Sequence, residues 1–346
     1  MIAKSIRNLK RLSPRGGRSR KPMGLILLYH RVTDYSVDPW RLCVSPRNFR
    51  DQVSELNRRF QPLPLDEFIR LNEAGELPEG AVALTFDDGY SDNFRHAFPI
   101  LEATGAPATI FVATGSTGSP HEFWWDELER LLFEPEFLPS ALTLDLLGGR
   151  RSWDLGDAAR WRVADSVRHR SWRPWDDRQP TMRHRMYWEL WQSLHRTPPD
   201  ERASVLDEIR SWSGMGVVGR SSNLAMTPAE LQTLAQSRFI ALGAHTRSHV
   251  ALSALSSDAQ RVEIQGSRDD LAQIIGATQM CFSYPFGRRA DFNDDTLALV
   301  KGAGFAGACV NFQAAVNAST DRFQLPRIQV QDWSGRNLID RLHKWQ

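Results

Sequence analysis

The stretch Leu84-Thr85-Phe86-Asp87-Asp88-Gly89-Tyr90 ends a run of apolar residues with two adjacent carboxylates. A second apolar run ends in His245-Thr246-Arg247-Ser248-His249, which holds two imidazoles four positions apart. Together these stretches can supply one aspartate and two histidines to a divalent metal, with a second aspartate left free beside it. Three protein ligands leave room for water, which is the arrangement that a hydrolytic metal needs.

Short apolar strands alternate with amphipathic helices along the chain, which predicts an α/β fold with a parallel sheet, closed or open. The predicted strands are Gly24–Tyr29, Ala81–Phe86, Ala108–Ala113, Ile240–Ala244, Met280–Tyr284, Gly307–Val310 and Ile328–Val330. The predicted helices are Pro46–Arg59, Asp66–Ala74, Asp92–Thr104, Pro228–Gln236, Asp258–Ile275 and Asp291–Ala303. Functional groups gather at the carboxyl ends of such strands. Both opening stretches fall there, and His30 directly follows the first strand.

Residues 119–225 break this alternation, because an ordinary crossover joins two parallel strands in about 30 residues. The region holds nine of the twelve tryptophans, a predicted hairpin at Leu142–Leu155 and several runs with helical spacing. We predict a large, mainly helical insertion that caps the site, set between the two parts of a main domain, residues 23–118 and 226–346. Most of these tryptophans should fill the core of the insertion, and whether one faces a ligand stays open.

Composition and charge exclude some classes of protein. The 346 residues suffice for one large α/β barrel or two smaller domains. The formal net charge is +2, but residues 1–21 carry eight Lys or Arg and no acid, which leaves −6 on the rest. We therefore expect no nucleic-acid binding by the folded part, and a flexible basic leader over residues 1–22 that leaves contact with anionic lipid open.

The cysteine content and the hydropathy of the chain suggest its cellular compartment. Cys43, Cys281 and Cys309 lie far apart, which argues against a disulfide framework and fits a reducing cytoplasm. No segment approaches the roughly 20 apolar residues of a membrane span. The apolar run at residues 23–28 is typical of a buried strand rather than of a signal peptide. We expect a cytoplasmic protein, with peripheral contact to the inner face of the membrane left open and the oligomeric state undetermined.

The residues themselves suggest a division of roles. Asp88, His245 and His249 would hold Zn²⁺ or another borderline divalent ion. Neighbouring side chains diverge on extended backbone, so Asp87 would be free to act as a general base on the attacking water. His30 is the candidate proton donor to a leaving nitrogen. Taken singly, Asp87-Asp88-Gly89 is also typical of a solvated turn, the His245 and His249 pair of a solvated helix surface, and His30 of an interior histidine. The occurrence of all three after predicted strands favours a metal hydrolase.

The same residues resemble a known family. Thr85-Phe86-Asp87-Asp88-Gly89, His245-Thr246-Arg247-Ser248-His249 and Phe282-Ser283-Tyr284-Pro285-Phe286-Gly287 are similar, in this order, to three motifs of the NodB-type polysaccharide deacetylases, carbohydrate esterase family 4. The resemblance implies a distorted (β/α) barrel of about seven units and a metal-dependent hydrolysis of N-acetylated sugars. It implies that Asp87 is the base and that Asp88, His245 and His249 bind one metal ion. This ion is most simply Zn²⁺, with Co²⁺ or Ni²⁺ as alternatives. The resemblance also implies that Phe286, with Tyr284 nearby, contacts the oxyanion or substrate.

Two departures from the family pattern point to other residues. Most members have an arginine at the position of Ser283 to orient the catalytic aspartate, and Arg327 is the residue that could fill that space here. Most members also carry the acid histidine near the C-terminus, where this chain offers only His343 in a poorly matching context. The branch that includes the poly-N-acetylglucosamine deacetylases has an early Tyr-His, which Tyr29-His30 matches, so we expect His30 to be the acid.

The resemblance implies a carbohydrate substrate but leaves its identity open. We expect an acetamido sugar in a poly- or oligosaccharide, or in a lipid- or nucleotide-linked precursor of a cell-surface polysaccharide. One alternative is hydrolysis of a non-sugar amide or a cyclic ureide. A non-catalytic carbohydrate-binding protein is the other, and the presence of base, ligands and acid disfavours it.

Overall fold

Seven short strands run parallel through the centre of the protein. The computed structural model describes residues 23–35, 37–276 and 280–345, so the predicted leader, residues 1–22, lies outside the described part. The strands are β1 (Met23–Tyr29), β2 (Ala81–Phe86), β3 (Ala108–Val112), β4 (Ile240–Ala244), β5 (Phe282–Ser283), β6 (Ala308–Cys309) and β7 (Ile328–Gln329). Their order in the sheet is β6-β5-β4-β3-β2-β1-β7. All seven coincide with predicted strands.

The sheet forms a distorted barrel that regular strand pairing does not close between β6 and β7. The amide of Val310 donates to the carbonyl of Leu325, and the amide of Arg327 donates to the carbonyl of Phe312, each at 2.9 Å. These hydrogen bonds link the chain after β6 to the chain before β7. The prediction of a distorted (β/α) barrel of about seven units is therefore confirmed.

Burial of both faces explains why the strands are continuous apolar runs. All six residues of β2 are buried, and so are six of the seven in β1. Minor strands extend the sheet: Val316–Asn317 pairs antiparallel with β1, and Gln61–Pro62 pairs parallel with β2. Residues Arg31–Val32 and Cys43–Val44 form a separate parallel pair beyond β1.

Helices cover the outside of the barrel. They are α1 (Pro46–Arg59), α2 (Leu65–Ala74), α3 (Phe98–Thr104), α8 (Pro228–Ala235), α9 (Ser257–Ile275), α10 (Asp294–Gly302) and α11 (Gly335–Leu342). Helix α8 begins with a capping box, in which Thr227 and Glu230 satisfy each other's backbone N–H groups.

Two predicted helices begin later than expected. The helix predicted from Asp92 starts as a π-helical turn, Asn93–Ala97, before α3. The helix predicted from Asp291 starts at Asp294, because the side chain of Asn293 caps it by accepting from the amide of Thr296.

Residues between β3 and β4 build a second hydrophobic cluster beside the barrel. The insertion contains helices α4 (Trp124–Phe133), α5 (Val163–His169), α6 (Met182–Leu194) and α7 (Pro199–Ser213), and all of them except α5 contribute buried residues to the cluster. The predicted hairpin is present as Ala141–Leu146 paired with Gly149–Asp154. The fully buried Arg183 holds the cluster together by donating to four backbone carbonyls. Within the described residues, no helix is both long enough and apolar enough to cross a membrane.

Candidate metal centre and active-site cavity

The loop that follows β2 turns sharply to place two carboxylates. Asp88 and Gly89 both have left-handed backbone, with φ of 75° and 80°. Five non-glycine residues of the described chain have positive φ, and four of them, Asp88, Thr246, His249 and Phe286, lie in the motifs identified from the sequence. Such strain costs about 1–3 kcal/mol for each residue and concentrates at functional sites.

Asp88, His245 and His249 meet at one point beneath the insertion. Nε2 of His249 lies 3.2 Å from Oδ1 of Asp88, and Nε2 of His245 lies 3.5 Å from the same oxygen. One potential ligand atom from each residue lies within 4.8 Å of the others, and all three side chains are buried. Nδ1 of His245 is 2.7 Å from the carbonyl oxygen of Ser283. That contact fixes the ring and directs the lone pair of Nε2 towards the cluster, as is usual for a metal-binding histidine.

This donor set fits a divalent metal ion. Oδ1 of Asp88 is buried and has no hydrogen-bond partner, although two imidazole nitrogens face it. A buried carboxylate oxygen without a donor is costly, and a cation would satisfy it. One carboxylate and two imidazoles are typical ligands of Zn²⁺ and similar ions.

Asp87 lies beside this cluster, with its Oδ2 3.9 Å from Nε2 of His245, and is held by Arg327. Two guanidinium nitrogens of Arg327 donate to its two carboxylate oxygens, each at 2.7 Å. Ser283 joins them, donating to Asp87 at 3.2 Å and accepting from Arg327 at 3.0 Å. Arg327 therefore occupies the space beside Ser283 that the sequence suggested. Burial opposes ionisation of Asp87, but Arg327 and His245 outweigh it and lower the pKa of Asp87.

The loop between the two histidines is fixed by an acid from helix α9. Glu263 accepts hydrogen bonds from the amides of Arg247 and Ser248 at 2.9 Å, and from the Ser248 hydroxyl at 2.7 Å. The hydroxyl of Thr246 accepts from the amide of His249. Glu263 was not anticipated, because a single acid within a helix is typical of a solvated surface.

A cavity of about 320 Å³ opens above the cluster. Its floor includes His30 and Asp87 together with the three residues of the cluster, and its walls are largely aromatic: Trp40, Trp125, Trp175, Trp191 and Phe286. Burial lowers the pKa of His30, and Asp88 and Asp87 partly offset this effect. The structure thus places His30 and three tryptophans of the insertion around the same cavity as the cluster.

Phe286 and Tyr284 have different positions. The ring of Phe286 packs against His249, with centroids 4.6 Å apart, and its backbone N–H has no hydrogen-bond partner among the described residues. Tyr284 does not reach the cavity: its hydroxyl donates to the carbonyl of Phe323, and its ring stacks on Phe292. The expectation for Tyr284 is corrected by strand geometry, because Ser283 faces Asp87 and the next side chain points to the opposite side.

A further histidine reaches the cavity from the insertion. His195 follows α6, and its Nε2 lies 3.2 Å from Oδ1 of Asp291. A lone histidine after a helix carries no motif, and its partner is distant in sequence. No sequence pattern therefore predicts this pair.

Comparisons with known proteins agree with this geometry. The polysaccharide deacetylase family matches residues 74–136 and 214–308, and the gap between them lies within the insertion. A putative polysaccharide deacetylase, YxkH of Bacillus subtilis, is 31% identical over 117 residues, which are 33% of this chain and 40% of that protein. The poly-beta-1,6-N-acetyl-D-glucosamine N-deacetylase of Escherichia coli is 36% identical over 90 residues, 25% of this chain and 13% of that protein.

A solved structure extends the likeness in fold to most of the chain. The deacetylase PplD of Streptococcus pyogenes, in complex with acetate, covers 93% of this chain and 98% of its own, with a TM-score of 0.53 and 19% identity. These two matches span 40% and 13% of the length of the curated relatives. Family match, fold and motif geometry agree, and the chain therefore contains a NodB-type polysaccharide deacetylase domain.

Proposed function

We propose that this protein is a metal-dependent hydrolase that removes N-acetyl groups from an acetamido sugar. One observation carries the proposal: the Asp88, His245 and His249 cluster lies on the floor of a cavity beside a second, separately held carboxylate, Asp87. Metal ligands and a free base within one cavity are what hydrolysis of an unreactive amide requires.

The residues of the cavity can divide the reaction between them. A divalent ion bound by the cluster would polarise the acetyl carbonyl and lower the pKa of water to about 7. Asp87 accepts a proton from the attacking water as its oxygen bonds to the acetyl carbon. The backbone N–H of Phe286 donates to the carbonyl oxygen as negative charge develops there. His30 gives a proton to the sugar nitrogen as the carbon–nitrogen bond breaks, so the products are acetate and a free amino sugar.

The lining of the cavity supports a sugar substrate. A volume of about 320 Å³ is near the lower end of small-molecule sites. Aromatic walls suit the apolar faces of sugar rings, and the relatives named as poly-N-acetylglucosamine deacetylases support an N-acetylglucosamine unit. We propose a poly- or oligosaccharide, or a lipid- or nucleotide-linked precursor, as substrate, and Zn²⁺ as metal. Cytoplasmic location and membrane contact stay predictions.

A substrate panel tests the proposal. Metal-stripped protein would be assayed for acetate release from N-acetylglucosamine oligomers and from lipid- and UDP-linked acetamido sugars, with and without added Zn²⁺, Co²⁺ or Ni²⁺. We expect metal-dependent acetate from at least one sugar. Metal-loaded protein that releases none, but hydrolyses simple amides or cyclic ureides, would favour the alternative hydrolase. Sugar binding without turnover of any amide would favour a carbohydrate-binding protein.

A further inference from the structure

His195 brings a polar group of the insertion into the cavity and is held there by a buried acid. Its Nε2 lies 3.2 Å from Oδ1 of Asp291, a side chain that is only 2% exposed. The other carboxylate oxygen of Asp291 accepts from the amide of Arg288 at 3.0 Å. Asp291 is therefore fixed by the barrel, and it fixes the imidazole in turn.

Aromatic contacts set the plane of the His195 ring. It stacks on Trp191 with centroids 5.0 Å apart and an angle of 11° between planes. On another side it meets the edge of Phe286, with centroids 4.2 Å apart. Phe286 itself packs against the ring of His249. His195 thus lies one ring beyond the proposed metal ligands, on the wall that the insertion supplies.

We propose that His195, oriented by Asp291, is a substrate-binding residue whose Nδ1 accepts a hydrogen bond from a hydroxyl group of the acetamido sugar. A neutral imidazole with its Nε2 facing a carboxylate carries its proton on Nε2, which leaves the lone pair of Nδ1 available. Among the described residues Nδ1 has no hydrogen-bond partner, and the side chain borders the cavity. This inference rests on the proposed deacetylase function and makes the insertion part of the site.

Two substitutions test the roles of Nε2 and Nδ1 of His195 separately. His195→Gln retains an N–H that can reach Asp291 but lacks an acceptor at the position of Nδ1. His195→Asn places an amide oxygen near Nδ1 but is too short to reach Asp291. His169→Gln is the matched control, because His169 packs on Trp161 and His184 within the insertion and does not border the cavity.

The test measures kcat and KM for acetate release from an N-acetylglucosamine disaccharide and from its monodeoxy analogues, each lacking one free hydroxyl. We expect one analogue to have a KM about tenfold higher than the parent with wild-type protein. His195→Gln should hydrolyse the parent disaccharide with a KM about tenfold above the wild-type value and a nearly unchanged kcat. For this variant, the KM values of the parent and of the sensitive analogue should be equal, because the hydrogen bond that distinguishes them is already lost. His195→Asn should retain part of the difference in KM between the parent and the sensitive analogue. His169→Gln should retain the whole difference.

Two results would overturn the inference in distinguishable ways. If wild-type protein releases acetate and His195→Gln, shown to be folded by thermal melting, discriminates among the analogues as wild type does, His195 does not bind the sugar. If metal-loaded wild-type protein releases acetate from no acetamido sugar, the proposed function fails, and this inference fails with it.

Discussion

Arg327 and Asp87 are joined by two parallel hydrogen bonds of 2.7 Å in the buried centre of the site. The arginine directly precedes β7 and the aspartate directly follows β2, so the pair connects two strands on either side of β1. The pairing lowers the pKa of Asp87 despite its burial and holds its carboxylate beside the Asp88 cluster but outside the ligand set. It therefore gives two neighbouring aspartates different roles.

Loss of the Arg327 cation should change the pH dependence of acetate release. Arg327→Met removes the charge that lowers the pKa of Asp87, so that pKa should rise. A base must be ionised to act, and the loss of kcat/KM on the acid side should therefore move to higher pH. Arg327→Lys keeps a charge but not the paired geometry, and should show a smaller shift.

The same substitution should destabilise the fold. Removing one partner of a buried ion pair leaves the other charge uncompensated, at a cost of about 3–5 kcal/mol. Denaturant unfolding of both variants would show whether Arg327→Met remains folded. If kcat/KM of folded Arg327→Met falls at the same acidic pH as that of wild type, Arg327 does not lower the pKa of Asp87.

His30→Gln should lower kcat about 10²–10⁴-fold while leaving metal binding intact, because it removes a proton donor and no ligand. Burial lowers the pKa of His30. An acid must be protonated to act, so wild-type activity should fall as the pH rises through the lowered pKa of His30. His30→Gln should not show this fall in activity. His96→Gln, in an exposed position outside the cavity, is the control. Near-normal turnover in metal-loaded His30→Gln would rule His30 out as the acid.

Two cavity tryptophans should respond differently to alanine. Trp175 is 52% exposed, so Trp175→Ala should raise KM roughly three- to tenfold through the lost sugar contact, with stability changed by no more than about 0.5 kcal/mol. Trp191 is 7% exposed within the core of the insertion, and Trp191→Ala should cost about 3–5 kcal/mol of unfolding free energy. Steady-state kinetics and urea unfolding would distinguish these effects. An unchanged KM in Trp175→Ala would exclude that ring from substrate binding.

Asp126 should make stability depend on pH. Burial raises its pKa to about 7, although Arg31 and a hydrogen bond from Tyr90 oppose the increase. Below about pH 4 the carboxyl is protonated in both folded and unfolded chains. Between about pH 4 and 7 only the unfolded chain is ionised, so the free energy of unfolding falls by up to roughly 1.4 kcal/mol per pH unit.

Asp126→Asn mimics the protonated acid and should remove this loss. Urea unfolding near pH 5 and near pH 8 would compare it with wild type and with Asp145→Asn, which alters an exposed acid of the hairpin. Equal losses of stability in wild type and Asp126→Asn would show that Asp126 is ionised in the folded protein.

The barrel and the cluster could be predicted because each has a strong local signal. Strands such as β1 and β2 are unbroken apolar runs since both faces are buried. Asp87, Asp88, His245 and His249 follow such runs, and parallel strands bring their carboxyl ends together. The irregular junction between β6 and β7 has no comparable pattern, since it depends on a few backbone hydrogen bonds.

Features that depend on contacts between distant segments escaped prediction. Nothing near His195 or Asp291 indicates that the insertion folds back to pair them. Glu263 is indistinguishable in sequence from a surface acid of α9, yet it fixes the loop between the metal-binding histidines. Tyr284 was expected near the substrate because of its motif, and strand alternation places it on the opposite side.

The central claim is that Asp88, His245 and His249 hold the metal on which acetate release depends. The most direct measurement compares wild type, Asp88→Asn and Asp145→Asn, each stripped of metal, by calorimetric titration with Zn²⁺ and by acetate release from N-acetylglucosamine oligomers. We expect one tight site and metal-dependent acetate in wild type and Asp145→Asn, and loss of both in folded Asp88→Asn. Equal Zn²⁺ affinity in Asp88→Asn and wild type, or acetate release by metal-free wild type, would contradict the account.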